Sequence, residues 1–179
     1  MAKFEVVNKY KDADIALPVR KTDGSAGYDL AAADNYIIPS VWQMVNEVKG
    51  LWNVEDDEYV SLDMMAQFTK ETGYRPTLIS TGLKCQLEPR TWLNLSVRSS
   101  SPLKYWIVLA NGIGVIDSDY YNNQDNEGEI FFQVYNLSPF NIQIKKGEII
   151  GQGIIAPFFV TEDDVLMGER TGGFGSTNG

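Results

Sequence analysis

Short runs of β-branched and aromatic residues recur along the chain and predict β-strands. In the run 91–99, Leu93 and Leu95 fall on one side of a strand. The intervening Asn94 and Ser96 fall on the other side. Similar runs span 4–10, 129–136 and 148–158. Turn-forming residues separate these runs at short intervals, which is typical of an antiparallel sandwich or jelly roll.

The pattern becomes helical between residues 40 and 73. Ser40 and Ser61 are placed to cap two helices, which Gly50 and Gly73 can end. Two helices within a chain of strands predict an insertion, 40–73, in one loop. Its apolar side chains exceed what two short helices can hide against each other. They are Trp42, Met44, Val45, Trp52, Met64, Met65 and Phe68.

The C-terminal segment 168–179 is rich in glycine and contains "GGFG" at 172–175. Glycine loses much backbone entropy on folding, so this segment is predicted to be a mobile arm. Phe174 lies within it, and an aromatic ring on such an arm can close over a flat base. The glycine spacing is not that of a P-loop, which excludes Walker-type nucleotide binding.

Composition places the chain among globular proteins. Its 179 residues are 44% hydrophobic and 22% charged, which suits a single domain, 1–179. The net charge of -9 argues against direct binding to nucleic acid. No long apolar run or basic-then-apolar N-terminus is present, so neither a membrane span nor a secretory signal is predicted. Cys85 is the single cysteine, which fits a cytoplasmic location, in the host cell if the protein is encoded by a phage.

Histidine is absent from the sequence, and this absence restricts the chemistry. It excludes a Ser-His-Asp mechanism and a histidine-ligated zinc ion. Any catalysis must therefore use carboxylates, hydroxyl groups, basic side chains, backbone N–H groups or a hard cation.

Two motifs contain groups that suit phosphate or metal chemistry. "VRSSSPLK" (97–104) places Arg98 and three serines directly after a strand. Such a segment either binds an anion or forms an ordinary polar loop. "AGYDL" (26–30) puts Asp29 at the entry to a strand, where a carboxylate either orients a metal-bound water or caps a turn.

The stretch "GVIDSDYYNN" (114–123) places Asp117 and Asp119 two residues apart. In a strand their carboxylates would point to the same side. Aspartates are also common in turns, because their side chains accept hydrogen bonds from nearby backbone N–H groups. On its own the stretch therefore suits a hairpin corner as well as a catalytic site.

Five motifs occur in a fixed order along the chain: "GSAGYDL", "RSSSPLK", "NGIGVIDSDYYNN", "KKGEIIGQGI" and "RTGGFGSTNG". In this order the chain resembles the trimeric dUTPase family over 1–39 and 74–179, leaving only the helical insertion unmatched. The resemblance implies an all-β jelly-roll sandwich with a small helical insertion and a flexible C-terminal arm. It also implies an enzyme that hydrolyses dUTP to dUMP and pyrophosphate, which limits uracil incorporation into DNA and supplies dUMP.

The resemblance further implies a homotrimer in which each active site uses motifs from all three chains. Asp117 matches the carboxylate that deprotonates the attacking water, and aspartates are ionised at neutral pH. Mg²⁺ is implied as the ion that gathers the triphosphate oxygens. Asp29 matches the residue that supports this ion through water. Asp119 is interpreted as a turn residue.

Base and sugar recognition are implied for the segment around Asp117. Asn111 and the backbone that follows it match a hairpin that reads uracil. This backbone runs from Gly112 to Asp117, and its substrate-binding positions are Gly114, Val115 and Ile116. Tyr120 matches the tyrosine under the deoxyribose, where a 2′-hydroxyl would clash. On this interpretation the stretch 114–123 is a hairpin that forms the active site.

Phosphate recognition is implied for several side chains. Arg98 and Ser99 match the pair that grips the phosphates, and Gln152 matches the glutamine on the α-phosphate. Ser100 stands beside them where the family commonly has glycine.

The arm is expected to close on the base and the γ-phosphate. Its matching residues are Phe174, Gly175, Ser176 and Thr177. Arg170 stands two residues before "GGFG", whereas the family's arginine stands three residues before it. A γ-phosphate contact by Arg170 therefore requires a shift in the register of the arm.

Two alternatives remain at the level of sequence. dCTP deaminases share the fold and part of the motif order, but they resemble "IDPGF" where this chain has "IDSDY". They also have a glutamate where this chain has Gln133, and an amide cannot shuttle a proton. A regulatory protein with the same fold, which works by binding a repressor, is the second alternative.

The insertion 40–73 makes the chain most similar to the trimeric dUTPases of bacteriophages, some of which also bind repressor proteins. We expect it to act either as a stabilising flap or as a docking surface. The docking partner would be a basic DNA-binding regulator attracted by the acidic segment 55–58.

Overall fold

Antiparallel pairing connects most of the short strands into two facing sheets. The computed structural model describes residues 1–51 and 59–165, and the side chains of 48–51 are not described. Within these ranges the strands are β1 (Lys3–Val6), β2 (Tyr28–Ala31), β3 (Tyr36–Ile38), β4 (Thr77–Ser80), β5 (Leu83–Gln86), β6 (Thr91–Ser96), β7 (Ile107–Leu109), β8 (Gly114–Ile116), β9 (Phe131–Asn136), β10 (Ile142–Ile144) and β11 (Ile149–Pro157). The helices are α1 (Val41–Leu51), α2 (Leu62–Thr72) and α3 (Ser100–Tyr105). Short 3-10 helices span Asn8–Tyr10 and Ser118–Tyr120.

The larger of the two sheets has four strands, in the order β2-β11-β6-β8, and the facing sheet has the order β4-β9-β7. Two smaller ribbons, β1-β5 and β10-β3, extend the sandwich. Two antiparallel sheets of this kind, with strands that are distant in sequence lying side by side, form the predicted jelly roll.

The core lies between the two larger sheets. Leu93 and Leu95 on β6 are 0% and 1% exposed, as their alternation predicts. Phe132 and Val134 on β9 face them from the other sheet and are equally buried. Burying each such side chain contributes about 1.5–3 kcal/mol. The predicted strand runs were too long at their ends, since β6 stops at Ser96, where the chain turns away towards α3.

Gly151 allows the two sheets to approach closely. A Cβ atom at this position would lie 2.1 Å from Cε1 of Phe132 and 2.7 Å from the carbonyl oxygen of Ser96. The position therefore excludes any side chain, because real Cβ atoms do not approach other atoms this closely. Since Gly151 faces the core, the next residue on β11, Gln152, faces outward.

Two helices, α1 and α2, lie within the stretch 40–73 that is predicted to be an insertion. Ser61 caps α2, because its hydroxyl accepts a hydrogen bond from the backbone N–H of Met64 at 3.2 Å. Gly73 ends α2 in the left-handed conformation, with φ of 72°. Gly50 does not end α1, which continues to Leu51.

Ser40 has a different role from the predicted cap. Its carbonyl accepts the Met44 N–H, but its hydroxyl donates to the carbonyl of Ser138 at 2.7 Å. It is fully buried and bridges to Asn136 at the end of β9. The Ser40 side chain therefore attaches the start of the insertion to the sandwich. It does not cap α1, because its hydroxyl is bonded to the loop carbonyl of Ser138.

Part of the insertion packs on the rest of the chain. The Trp42 indole donates to the carbonyl of Leu137 at 3.0 Å. Phe68 is buried and stacks on Tyr74 with the ring centres 6.2 Å apart. The Tyr74 hydroxyl donates to Glu47 of α1. Trp42 thus connects α1 to the loop after β9, and Tyr74 connects both helices to the chain segment that leads into β4.

Cys85 lies on β5 and is buried in the core. Burial raises the pKa of its thiol to about 12, because the thiolate would lose its hydration. The thiol is therefore protonated and unreactive at neutral pH.

No helix in the described ranges is long and apolar enough to cross a membrane.

Candidate active site

A row of three polar side chains crosses the outer face of the four-stranded sheet. Gln152 on β11 lies opposite Asp29 on β2 and opposite Ser96 on β6. The side-chain Nε2 of Gln152 donates a hydrogen bond to Ser96 Oγ at 3.2 Å. Residues in register on adjacent strands present their side chains to the same face, so these three groups form one polar surface.

Asp29 is the charged member of this row, and two cations lie close to it. The Lys21 ammonium is 3.9 Å from Oδ2, and Nε of Arg98 is 4.0 Å from Oδ1. The Asp29 side chain is only 13% exposed. Its Oδ2 atom is buried and has no hydrogen-bond partner among the described residues. A buried carboxylate oxygen in this condition is suited to accept a hydrogen bond from a bound water.

The segment that follows β6 presents the predicted phosphate-binding residues. Arg98 and Ser99 are exposed, and Ser100 is half-buried at the start of α3. The Arg98 carbonyl accepts the Ser101 N–H at 2.9 Å, which fixes the turn between the strand and α3. Arg98 and Ser100 also line a cavity of about 490 Å³ between α3 and the start of β11.

Gly27 lies against Gln152 at the entry to β2. A Cβ atom at Gly27 would lie 2.4 Å from Oε1 of Gln152. The glycine therefore leaves the space that the Gln152 amide occupies when it bonds to Ser96. By contrast, a Cβ atom at Gly24, in the same loop, would meet nothing within 4 Å.

The chain crosses between the two sheets just before the predicted hairpin. β7 pairs with β9, whereas β8 pairs with β6, so the two strands are not partners. The prediction of a hairpin at 114–123 is wrong, because β8 pairs with β6 and a 3-10 turn follows it in place of a second strand. A turn at 110–113 connects the sheets and leaves Asn111 exposed.

β8 is an edge strand of its sheet within the described residues. Gly114 packs on Leu95, while Val115 is exposed and Ile116 is half-buried. The backbone groups of alternate residues on an edge strand point away from the sheet and can bind another molecule. The predicted base-reading positions Gly114, Val115 and Ile116 therefore lie on an edge strand, where backbone N–H and carbonyl groups can bind a base.

Asp117 and Tyr120 follow β8 directly. Asp117 is half-buried, and its carbonyl accepts the Tyr120 N–H at 3.2 Å across a 3-10 turn. The Tyr120 ring is 6% exposed, and its hydroxyl donates to the carbonyl of Glu129 at 3.1 Å. Asp119 is exposed in the same turn, as its interpretation as a turn residue requires.

The strand register separates Asp117 from the polar row within one chain. Ile116, directly before Asp117, lies opposite Leu93 on β6, three residues from Ser96. Asp29 lies three strand spacings from β8, on the far edge of the sheet. At about 4.8 Å per strand and about 3.3 Å per residue, Asp29 and Asp117 are on the order of 15–20 Å apart. A single nucleotide phosphate cannot contact both.

Comparisons with known proteins show the family of the chain. The dUTPase family model matches residues 61–177. The deoxyuridine 5′-triphosphate nucleotidohydrolase of Lactococcus lactis subsp. lactis is 41% identical over 176 residues, covering 97% of this chain and 95% of that protein. The chain belongs to the dUTPase family. The sequence-based prediction of this family is confirmed, and so is the prediction of an enzyme, a dUTP diphosphatase.

Solved dUTPase structures have the same fold. The dUTPase of Streptococcus mutans superposes with a TM-score of 0.65 and 31% identity, covering 89% of this chain and 98% of that one. The dUTPase of phage phi11 of S. aureus, described with a species-specific insert, superposes with a TM-score of 0.62 at 14% identity. It covers 96% of this chain and 99% of that one. The predicted jelly-roll fold is confirmed.

Two groups of predicted dUTPase site residues are thus located in the structure. One group is the outward row with the segment after β6: Asp29, Arg98, Ser99, Ser100 and Gln152. The other lies on and around β8: Asn111, Gly114, Val115, Ile116, Asp117 and Tyr120. The predicted arm, 168–179, lies outside the described residues, as do its members Arg170, Phe174, Gly175, Ser176 and Thr177.

Sequence reasoning missed Lys21 and Ser96 as neighbours of the predicted site residues. Ser96 had a signal, since its alternation with Leu95 already placed it on the outer face of β6. Lys21 had none, because its proximity to Asp29 depends on how the loop before β2 folds back.

The donor atoms fit a magnesium ion that is bound through water. Within 1–51 and 59–165, no three acidic or cysteine side chains lie close enough to share a metal ion. Mg²⁺ retains several waters and is commonly bound by one or two carboxylates together with substrate phosphates. The buried Oδ2 atom of Asp29 offers the oxygen that one such water needs.

Replacing Gly27 tests whether the position of the Gln152 amide matters for catalysis. We expect Gly27→Ala to displace the Gln152 amide and to lower kcat/KM for the nucleotide by roughly tenfold or more. The neighbouring atom belongs to a flexible side chain, so the midpoint of urea unfolding should change little. Gly24→Ala is the matched control and should leave both quantities unchanged. Equal kcat/KM in the two variants would contradict this role for Gln152.

Proposed function

We propose that the chain hydrolyses dUTP to dUMP and pyrophosphate as a Mg²⁺-dependent homotrimer, with active sites shared between subunits. The observation that supports a shared site is the separation of Asp117 from the row formed by Asp29 and Gln152 on the same chain. A neighbouring copy can bring its own Asp117 to this row. A closed ring of three copies then forms three equivalent sites.

In the proposed site the uracil binds at the edge strand β8. The backbone N–H and carbonyl groups of Gly114, Val115 and Ile116 imitate a pairing partner, and Asn111 lies beside them in the adjoining turn. Uracil presents alternating acceptor and donor groups that such an edge can satisfy. The methyl group of thymine and the amino group of cytosine fit this arrangement poorly.

The deoxyribose then lies against the exposed part of the Tyr120 ring. Because that ring is 6% exposed and its hydroxyl is bonded to Glu129, it presents a fixed surface. A ribose 2′-hydroxyl would meet this surface without a hydrogen-bonding partner. The site therefore favours deoxynucleotides.

The triphosphate lies over the polar row of the adjacent copy. Arg98 and Ser99 donate hydrogen bonds to phosphate oxygens, and Ser100 adds a hydroxyl beside them. Gln152 reaches the α-phosphate, since its amide is already held on the outer face by Ser96. Asp29 binds a water of the magnesium ion. When bound, this ion neutralises charge on the triphosphate oxygens.

Asp117 acts as the general base of the proposed reaction. Its carboxylate accepts a proton from a water while the water oxygen forms a bond to the α-phosphorus. The bond between this phosphorus and the bridging oxygen breaks, and its electrons leave with pyrophosphate. The arm residues Arg170, Phe174, Gly175, Ser176 and Thr177 close over the base and the γ-phosphate, which excludes bulk water.

The rival deamination reaction lacks a proton-transfer group. Gln133 stands on β9 where the related deaminases have glutamate, and its amide cannot accept and return a proton at neutral pH.

The proposed reaction takes place in the cytoplasm, where the nucleotide pool is kept low in dUTP.

Substrate choice tests the proposed function directly. With Mg²⁺ present, the purified protein should release pyrophosphate from dUTP and act poorly on dCTP, dTTP and UTP. Asp117→Asn should keep nucleotide binding but lower kcat by about 10²–10⁴-fold, as expected for a lost general base. Asp119→Asn, two residues away, is the control and should leave kcat unchanged. Comparable turnover of dCTP, or release of ammonia from it, would overturn the proposal.

A second proposed role concerns the surface of the insertion. Several side chains of α1 and α2 that remain exposed are apolar, and they are Trp42, Val45, Leu62, Met64 and Met65. Tryptophan and methionine are enriched at protein interfaces. The acidic segment 55–58 lies between the two helices in sequence. Together these features support docking of a basic DNA-binding regulator.

Substitutions on the surface of α2 test this second role without disturbing the buried anchors Ser40 and Phe68. The double variant Leu62→Ser/Met65→Ser should keep dUTP turnover but lose a regulator that the wild-type protein captures from host lysate and binds after purification. Val165→Ser, at an exposed apolar residue outside the insertion, is the control. If the double variant captured the same regulator, or the wild type captured none, the docking role would be rejected.

A further inference from the structure

Tyr120 is held at both ends by the loop that follows it, 121–129. Its hydroxyl donates to the Glu129 carbonyl at 3.1 Å and accepts a hydrogen bond from Nδ2 of Asn126 at 2.8 Å. Its backbone carbonyl accepts from Nδ2 of Asn123 at 2.9 Å. A phenol can donate one hydrogen bond while accepting another, so these contacts are mutually compatible.

The orientation of the Asn126 amide follows from its other partners. Its Oδ1 atom accepts from the backbone N–H of Gly128 at 3.0 Å and from Nδ2 of Asn123 at 2.8 Å. A backbone N–H can only donate, so the oxygen of the amide must face Gly128. The nitrogen must then face Tyr120, which makes Asn126 a hydrogen-bond donor to the phenol.

Gly128 closes the loop tightly over Tyr120. Its φ is 80°, and a Cβ atom there would lie 2.5 Å from the carbonyl oxygen of Tyr120 and 2.9 Å from Cα of Tyr121. Only glycine fits such an approach in this conformation. The loop is therefore folded back on the tyrosine, and Asn126 reaches the phenol from the far side of this fold.

We propose that Asn126 is a positioning residue for sugar selection, which acts by fixing the ring of Tyr120. This inference rests on the proposed function, in which that ring contacts the deoxyribose. The Tyr120 ring excludes the 2′-hydroxyl oxygen of UTP only if the ring cannot move aside by about 1 Å. Discrimination between dUTP and UTP therefore depends on how firmly the ring is held. Two hydrogen bonds at the hydroxyl hold the ring at the end opposite its attachment to the backbone.

The test is the ratio of kcat/KM for dUTP to kcat/KM for UTP in four proteins. The variant Asn126→Ala should lower this ratio by about tenfold, the effect expected for a lost hydrogen bond of ordinary strength. Tyr120→Phe also removes the bond to Glu129 and should lower the ratio by at least as much. The double variant should lower it no further than Tyr120→Phe alone, because the contact between Asn126 and the phenol is already lost there. Gln124→Ala, at an exposed position of the same loop, is the control and should leave the ratio unchanged.

Other outcomes separate the possible failures. A loss of stability alone would reduce the turnover of dUTP and UTP equally and leave the ratio unchanged, which would overturn the positioning role. A further tenfold loss on adding Asn126→Ala to Tyr120→Phe would also overturn it. If Asn126→Ala did not fold, Asn126→Asp, which keeps the oxygen that accepts from Gly128 but has no N–H to donate to the phenol, would decide by the same ratio. Absence of dUTP turnover by the wild-type protein would instead overturn the proposed function and this inference together.

Discussion

The position of β11 between β2 and β6 is the constraint on which the rest of the structure depends. This position requires a glycine at residue 151, because the Phe132 ring of the facing sheet occupies the space that a side chain would need. With Gly151 inward, Gln152 is outward and in register with both Asp29 and Ser96. Core packing and the alignment of polar groups are thus two consequences of one strand register. A shift by one residue would bury Gln152 and remove the row.

The same register places the other half of the site elsewhere. β8 joins the far edge of the sheet through β6, and Asp117 follows it at the end away from Ser96. Asp29 lies on β2, three strand spacings from β8 in the same sheet. In the proposed function a second copy completes the site, and the edge strand β8 and the outward polar row are the two surfaces that such copies would combine.

Much of this arrangement was predictable from local patterns. Alternation of Leu93 and Leu95 with polar residues indicated the faces of β6, and Ser61 with Gly73 indicated both ends of α2. These features depend on neighbours within a few residues, which a sequence displays directly. The hairpin at 114–123 was wrong because a short strand followed by turn-forming residues looks alike in sequence whether a second paired strand or a 3-10 turn comes next. Ser40 depends on Ser138, a partner that only the folded chain brings near, so its role had no local signal.

Mixing two inactive variants measures most directly whether the site is shared. Asp117→Asn and Arg98→Ala should each be nearly inactive as pure proteins. Unfolded together in equal amounts and refolded, they should recover about one quarter of wild-type turnover. Each shared site takes Asp117 from one chain and Arg98 from another, and each of these residues is intact in half of the chains, so about one quarter of the sites contain both. Refolding each variant alone is the control. If the mixed protein forms trimers but is no more active than its parents, both groups must serve a site within one chain, and the proposal of sites shared between subunits would be contradicted.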